Sequence, residues 1–271
     1  MDLVDYSEAE FEAVKASFLD VAAPLGISDI VVIPVSALVG DNVVDQSANM
    51  TWYDGPTLLE HLETVPIGLD PRDQPFRLPV QYVNRPRTAE HPDYRGFSGR
   101  IASGVIRVGD EIVVNPLGRK STVTGIDVLG KTAEVAFAPQ SITLSLSDEI
   151  DIVRGDVISS IAGSPLSTRE VTATVCVLAD SPIEKGQRLL ARFGPKTVRV
   201  IVADIVDRLD LNSLEHESHS GSLELNDVGT LVLRLADDVV VDNYDDLRTT
   251  SAFILVDDHD GSTLAGGMTR C

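Results

Sequence analysis

Cysteine is nearly absent from this 271-residue chain: Cys176 lies inside an apolar run and Cys271 at the very end. Two thiols so placed form neither a disulfide framework nor a zinc site, and both read as free. Positive charge is also scarce, with 22 Lys and Arg against 42 Asp and Glu and a net charge of −20. Such a surface repels a phosphate backbone, so nucleic acid is not expected as the main partner. Long apolar runs are missing too, and the acid-rich start, with Lys15 as its single lysine before Arg72, is neither a secretory signal nor a transit peptide. The expectation is a cytoplasmic protein without membrane contact.

What is present is a globular composition, 43% hydrophobic and 24% charged, in a chain long enough for two domains or three small ones. Much of the acidity is local. Between Asp204 and Asp260 stand 15 acids against Arg208, Arg234 and Arg248, which reads as a solvated surface rather than a docking face.

The stretch SEAEFEAVKASFLDVA has Ser7 and Glu10 in capping-box spacing and Phe11, Val14, Phe18 and Val21 on one helical face. After Pro24 and Gly26, DIVVIPVSAL reads as a buried strand, and PTLLEHLETV as a second short helix. This is α/β layering, but one strand makes no parallel sheet, so residues 1–68 read as the tail of an α/β domain. DPRDQP is a proline-punctuated linker, and beyond it the pattern is β to the end. LPVQYV, GFSGRIASGVI, DEIVVNP, STVTGIDVL, SITLSLSDEI and DVISSIA predict six strands of a small closed barrel over 72–163. TATVCVLAD, QRLLARF, KTVRVIVADIVDRLD, SLELNDVGTLVLRLA, SAFILVD and TLAGGM predict a second barrel over 168–271, with GSPLSTR as the junction.

One motif invites a nucleotide reading. GIDVLGKT at 125–132 meets the spacing of a phosphate-cradling loop through Gly125, Gly130, Lys131 and Thr132. Its interior, however, is Ile126, Asp127, Val128 and Leu129, bulky or anionic where small residues should let N–H groups converge, and Pro139 cuts off any following helix. The better reading is a strand to Leu129, a turn at Gly130-Lys131 and another barrel strand. His216 and His219, with Glu215 and Glu217, lack the apolar framing of a metal site. His61 on a helix, His91 in a loop and His259 in an acidic turn complete no Ser/His/Asp arrangement, so no catalytic residue and no metal ligand is assigned.

The run RGFSGRIASGVIRVGDEIVVNPLGRKSTVTGI, ending in DEIDIVRGDVIS, resembles the barrel that follows the GTP-binding domain in translational GTPases of the elongation factor Tu type. In that pattern Gly104 and Gly109 serve turns, Gly109-Asp110 starts a hairpin, and Arg154-Gly155-Asp156 closes the barrel. QYVNRP at 81–86, WYDGPTLLEHLE at 52–63 and the ending AFILVDDHDGSTLAGGM narrow the resemblance to the large subunit of bacterial sulfate adenylyltransferase, over almost the whole chain.

The resemblance implies a mainly β fold: the C-terminal remnant of an α/β GTP-binding domain, then two consecutive β-barrels of the elongation factor Tu type. It implies the GTPase subunit whose hydrolysis of GTP, with Mg, drives formation of adenosine 5'-phosphosulfate from ATP and sulfate, in a heterodimer with a small catalytic subunit. Met1-Asp2 matches the last two positions of the guanine-specificity motif Asn-Lys-x-Asp, and Ser36, Ala37 and Leu38 match the second guanine-contacting loop. The Asp2 carboxylate is then expected to accept the two N–H donors of the guanine edge. The phosphate loop, switch regions and magnesium ligands of the family have no counterpart in this sequence, so this piece is expected to be inactive and to bind no GTP or Mg tightly. The alternative is a translation-factor-like barrel module that docks RNA or a protein without nucleotide chemistry.

Overall fold

The computed structural model describes residues 1–66, 70–86, 94–211, 213–218 and 221–270, which leaves His91, His219 and Cys271 outside the described residues. The chain separates into two units, Met1–Gly68 and Leu69–Cys271.

In the first unit, helix α1 spans Glu8–Ala22 and helix α2 spans Leu58–Thr64. Ser7 caps α1 by accepting from the Glu10 N–H at 3.4 Å. Thr57 and Glu60 form a reciprocal capping box at the start of α2, which satisfies two amide donors the helix cannot. The apolar stripe of α1 is not covered as its pattern predicts. Phe11 is buried, but Val14, Phe18 and Val21 are 68%, 54% and 50% exposed. The strand expected at DIVVIPVSAL is corrected by the structure. Residues 29–35 form no strand, and the segment's one bridge joins Ser36 to Asp41. A strand exists only when its backbone pairs with another, and no neighbour is available to it among the described residues.

The first barrel is built from β1 (Arg77–Pro79), β2 (Tyr82–Asn84), β3 (Gly96–Arg100), β4 (Val105–Arg107), β5 (Glu111–Asn115), β6 (Arg119–Val128), β7 (Lys131–Ala133), β8 (Val135–Phe137), β9 (Ser141–Leu146) and β10 (Val157–Ser160). Its antiparallel path runs β1-β10-β5-β6-β9-β3-β2, and a bridge from Arg77 to Ser103 brings β1 back against the chain beyond β3. Two expected strands are in fact corners. LPVQYV breaks between Val80, whose N–H bonds Asp156 O, and Gln81, whose N–H bonds Ser98 O, so the chain passes there from one neighbour to another. GFSGRIASGVI breaks at Gly104, where φ is +81° and a Cβ would stand 2.4 Å from Phe76 Cα. A side chain fits neither that space nor that backbone. Inward residues Leu78, Phe97, Ile112, Val114, Ile126, Leu144 and Ile158 fill the core.

The second barrel comprises β11 (Leu166–Val177), β12 (Arg188–Phe193), β13 (Lys196–Leu209), β14 (His216–Ser218), β15 (Val228–Val241), β16 (Ala252–Val256) and β17 (Thr263–Arg270). The path β12-β16-β17-β11-β15-β13 closes on itself because β12 also pairs β13, and β14 extends the far end of β13. Period-two alternation places Val198, Val200 and Val202 inside with Leu231, Leu233 and Leu235, and the Phe193 and Phe253 rings stack at 4.7 Å. The strand expected from Ser222 begins only at Val228, and it continues through the acidic DDVVV to Val241. Two bulges, at Val202/Asp204 and Ile205/Asp207, bend the long β13 around the barrel.

The two barrels form one unit, joined by an ion pair. Arg77 of β1, 2% exposed, donates Nε to Asp242 Oδ2 at 3.0 Å and Nη2 to Asp242 Oδ1 at 2.8 Å, while Thr250 Oγ1 donates to Oδ2 at 2.6 Å.

Candidate functional site

Around Asp2 and Ser36 the first unit folds into a polar knot. The N-terminal amine donates to Val35 O at 2.9 Å, and Ser36 Oγ donates to Asp2 Oδ1 at 2.6 Å. The Ser36 bond holds the Asp2 carboxyl below the usual carboxylate range, because it stabilises the ionised form. Ser36 itself is buried and locked by the loop it opens: its N–H bonds Asp41 O at 3.1 Å and its O accepts from Gly40 N–H at 2.8 Å. Ala37 and Leu38 lie at the exposed tip, with Leu38 87% exposed. The structure thus joins Asp2 to Ser36 across 34 residues and leaves the Ala37 and Leu38 side chains unburied beside them.

Behind this loop is a second layer that the sequence reading did not find. Asp41 Oδ1 accepts from Ser47 Oγ at 2.6 Å, which depresses the Asp41 pKa, and a hydrogen bond to Asp41 raises that of the Tyr6 phenol. Asn42, buried with φ +54°, donates Nδ2 to Pro34 O and accepts from Ser47 N–H, so one side chain ties both ends of the loop. The WYDG segment then packs it onto α1. Trp52 Nε1 donates to Tyr6 O at 3.0 Å, and the Phe11, Trp52 and Tyr53 rings form a cluster with centroids 5.4 to 6.5 Å apart. The only sequence signal for this layer was the unusual density of aromatic and small polar residues between Asp41 and Asp54.

A carboxylate with depressed pKa stays ionised and acceptor-only near neutral pH, the state in which it can take two N–H donors from a planar base edge. The residues present therefore fit the base of a guanine nucleotide.

GIDVLGKT is a hairpin. Strand β6 ends at Val128, Leu129 and Gly130 turn with φ of +51° and +76°, and Lys131 already pairs Val128. The turn therefore sits one residue earlier than its expected position at Gly130-Lys131. Positive φ at both central residues gives the primed turn whose twist matches the flanking strands, and only Gly130 suits it. His216 Nδ1 lies 3.1 Å from Asp207 Oδ1 on the outer β14 hairpin. Asp257, Asp258 and His259 bring possible ligand atoms within 4.8 Å of one another in an exposed turn whose Asp257 carboxylate already accepts backbone N–H groups.

Two consecutive antiparallel barrels are the architecture of elongation-factor-type GTPases. Residues 170–270 match the family model described as GTP-eEF1A C-terminal domain-like. In fold, the chain is similar to Sup35 solved with GMPPNP (TM-score 0.65, 21% identity, 98% of this chain and 66% of that one) and with GDP (TM-score 0.66, 20% identity, the same coverage). Sequence is more specific than fold. The chain is 42% identical over 268 residues to sulfate adenylyltransferase subunit 1 of Cellvibrio japonicus, covering 99% of this chain and 56% of the relative. It is 41% identical over 269 residues to the bifunctional enzyme CysN/CysC of Mycobacterium tuberculosis (strain ATCC 25618 / H37Rv), covering 99% of this chain and 44% of the relative. Over 99% of its length the chain is thus similar to members of the sulfate adenylyltransferase subunit 1 family. It spans about half the length of the curated relatives it matches.

Proposed function

We propose that this chain acts as a structural and partner-binding part of a GTPase subunit of sulfate adenylyltransferase, the enzyme that forms adenosine 5'-phosphosulfate and diphosphate from ATP and sulfate. The observation that carries the reading is identity above 40% maintained over 99% of the chain, which extends through both barrels and the Asp2–Ser36 loop. In this role Asp2 and Ser36, with the backbone of Ala37 and Leu38, meet the guanine base. The barrels present the surface on which the small catalytic subunit sits, in the cytoplasm.

Alone, the chain neither binds GTP tightly nor hydrolyses it. Affinity for a nucleoside triphosphate comes mostly from backbone N–H groups, a lysine and magnesium around the phosphates, and hydrolysis needs a group that positions water. Asp2 and Ser36 supply only base contacts. Two measurements on the purified chain test the proposal. Co-purification with the cognate catalytic subunit is expected, and failure by folded protein refutes the partner role. Calorimetry with GTP and Mg is expected to show no micromolar binding, and a micromolar Kd would place phosphate contacts in this chain that the reading denies.

A further inference from the structure

We propose that the cleft between the two barrels binds a small organic anion, of the phosphate-ester class. The cleft is a cavity of about 470 Å³, in the range of small-molecule sites, and both barrels line it. From the first come Arg100, Arg154, Ile101 and Pro139, and from the second Pro195 and Thr249. In a chain whose acids outnumber its bases 42 to 22, two arginines and no carboxylate side chain among the described lining residues is a local inversion of charge.

Each guanidinium is held in place rather than neutralised. Arg100 Nε donates to Pro139 O at 3.1 Å, and Arg154 Nη1 donates to Gln81 O at 2.8 Å. Neither makes an ion pair among the described residues. A guanidinium carries five N–H donors, so most of each fork remains to offer. A barrel-closing role accounts for one hydrogen bond at each position, and a neutral donor would serve for that. It does not account for two guanidinium forks on the wall of one cavity with no carboxylate side chain beside them among the described lining residues.

The shape and charge also select the ligand. A phosphomonoester brings nearly two negative charges and three acceptor oxygens, more than a single carboxylate offers to guanidinium donors. Pro71, Pro79, Pro139 and Pro195 give the body of the molecule an apolar wall, and proline's fixed φ keeps that wall formed before binding. The net charge of −20 disfavours a polyanion, so the ligand is a small molecule and not a nucleic-acid strand.

The test is a titration of the full chain with AMP, followed by the backbone amide resonances of Ala102, Gly194 and Thr249, with adenosine as the uncharged control. AMP is expected to shift these resonances saturably and adenosine to leave them in place. Replacing one arginine removes hydrogen bonds to a charged group, so Arg100→Gln and Arg154→Gln are each expected to weaken AMP by about tenfold or more. Arg154 also steadies the corner at Gln81, so Arg100→Gln, with an unchanged circular-dichroism melt, carries the decision if Arg154→Gln does not fold. The proposal is overturned by the absence of saturable shifts up to about 10 mM AMP. It is equally overturned by unchanged affinity in folded Arg100→Gln, or by tighter binding of a 5'-phosphorylated oligonucleotide than of AMP.

Discussion

Substituting Asp242 by alanine removes the counter-charge of a guanidinium that is 2% exposed, while leaving the guanidinium where it is. Arg77 would keep its bonds to Phe76 O and Gly163 O but lose both charge-assisted bonds to the carboxylate, and Thr250 Oγ1 would lose its acceptor. An uncompensated buried charge costs about 3–5 kcal/mol, so Asp242→Ala is expected to destabilise the barrel unit by that amount. The double variant Arg77→Met/Asp242→Leu removes both charges and is expected to lie within about 1–2 kcal/mol of the native chain, because burying the pair was itself costly. The single tryptophan, Trp52, lies in the first unit and does not report on the barrels, so the measurement is urea unfolding followed by far-ultraviolet circular dichroism. With a slope of about 2–3 kcal/mol/M, the midpoint of Asp242→Ala is expected to fall by about 1–2 M. A loss under about 1 kcal/mol in the single variant, or a double variant as unstable as the single, refutes the view that this pair clamps the barrels.

At the β6–β7 turn, Leu129 is 92% exposed with φ +51°, so Leu129→Asn should relieve left-handed strain and stabilise by about 1 kcal/mol; a lower melting temperature would contradict this. Lys131→Ala in the same hairpin is expected to leave any nucleotide affinity unchanged, and a measured loss would revive the phosphate-loop reading. Burial raises the Asp156 pKa against the opposing Val153 N–H bond and Lys196 charge. With the folded pKa above the unfolded one, the ionised carboxylate costs stability at neutral pH, and that cost vanishes as pH falls below the unfolded value. Asp156→Asn, which keeps an oxygen for the Val153 N–H, is therefore expected to raise the urea midpoint at pH 7 but not at pH 3, and equal shifts at both pH values would show that the charge is not the cause. In the first unit, Ser36→Ala should move the Asp2 pKa up toward its ordinary value, read by carboxyl-carbon NMR titration, and an unmoved pKa would mean that the 2.6 Å bond is not what depresses it.

The sequence made sides legible, and pairings much less so. Alternation in KTVRVIVADIVDRLD placed Val198, Val200 and Val202 inside the second barrel, because period-two burial is a local property of each strand. The corner at Val80-Gln81 was invisible, since the hydropathy of LPVQYV does not change where the backbone changes neighbours. Arg77 and Asp242 are 165 positions apart, and nothing local marks either as the other's partner. The same limit governs the candidate site. A resemblance named Asp2 and Ser36 each as a guanine contact, their hydrogen bond to one another was not foreseen, and Asp41, Asn42 and Ser47, which hold the loop, carry no motif at all.

The first unit shows the limit at its sharpest. The apolar stripe of α1 and the run at 29–35 were read as a buried helix face and a buried strand, and the structure leaves most of the stripe exposed and the run unpaired. The barrels differ because each closes its own hydrogen-bond ladder, so their strands find partners within a hundred residues and their apolar faces meet inside. Val14, Phe18 and Val21 stand exposed on α1, and the segment 29–35 pairs in no ladder among the described residues, so little in the first unit holds either in place. Stability should divide accordingly. Backbone amides of β13 and β15 are expected to resist hydrogen exchange to the global unfolding limit, and those of 29–35 to exchange at nearly the rate of a free peptide. Comparable protection in both would mean that 29–35 is paired in solution, and that the fold of the first unit is more self-sufficient than its exposed valines imply.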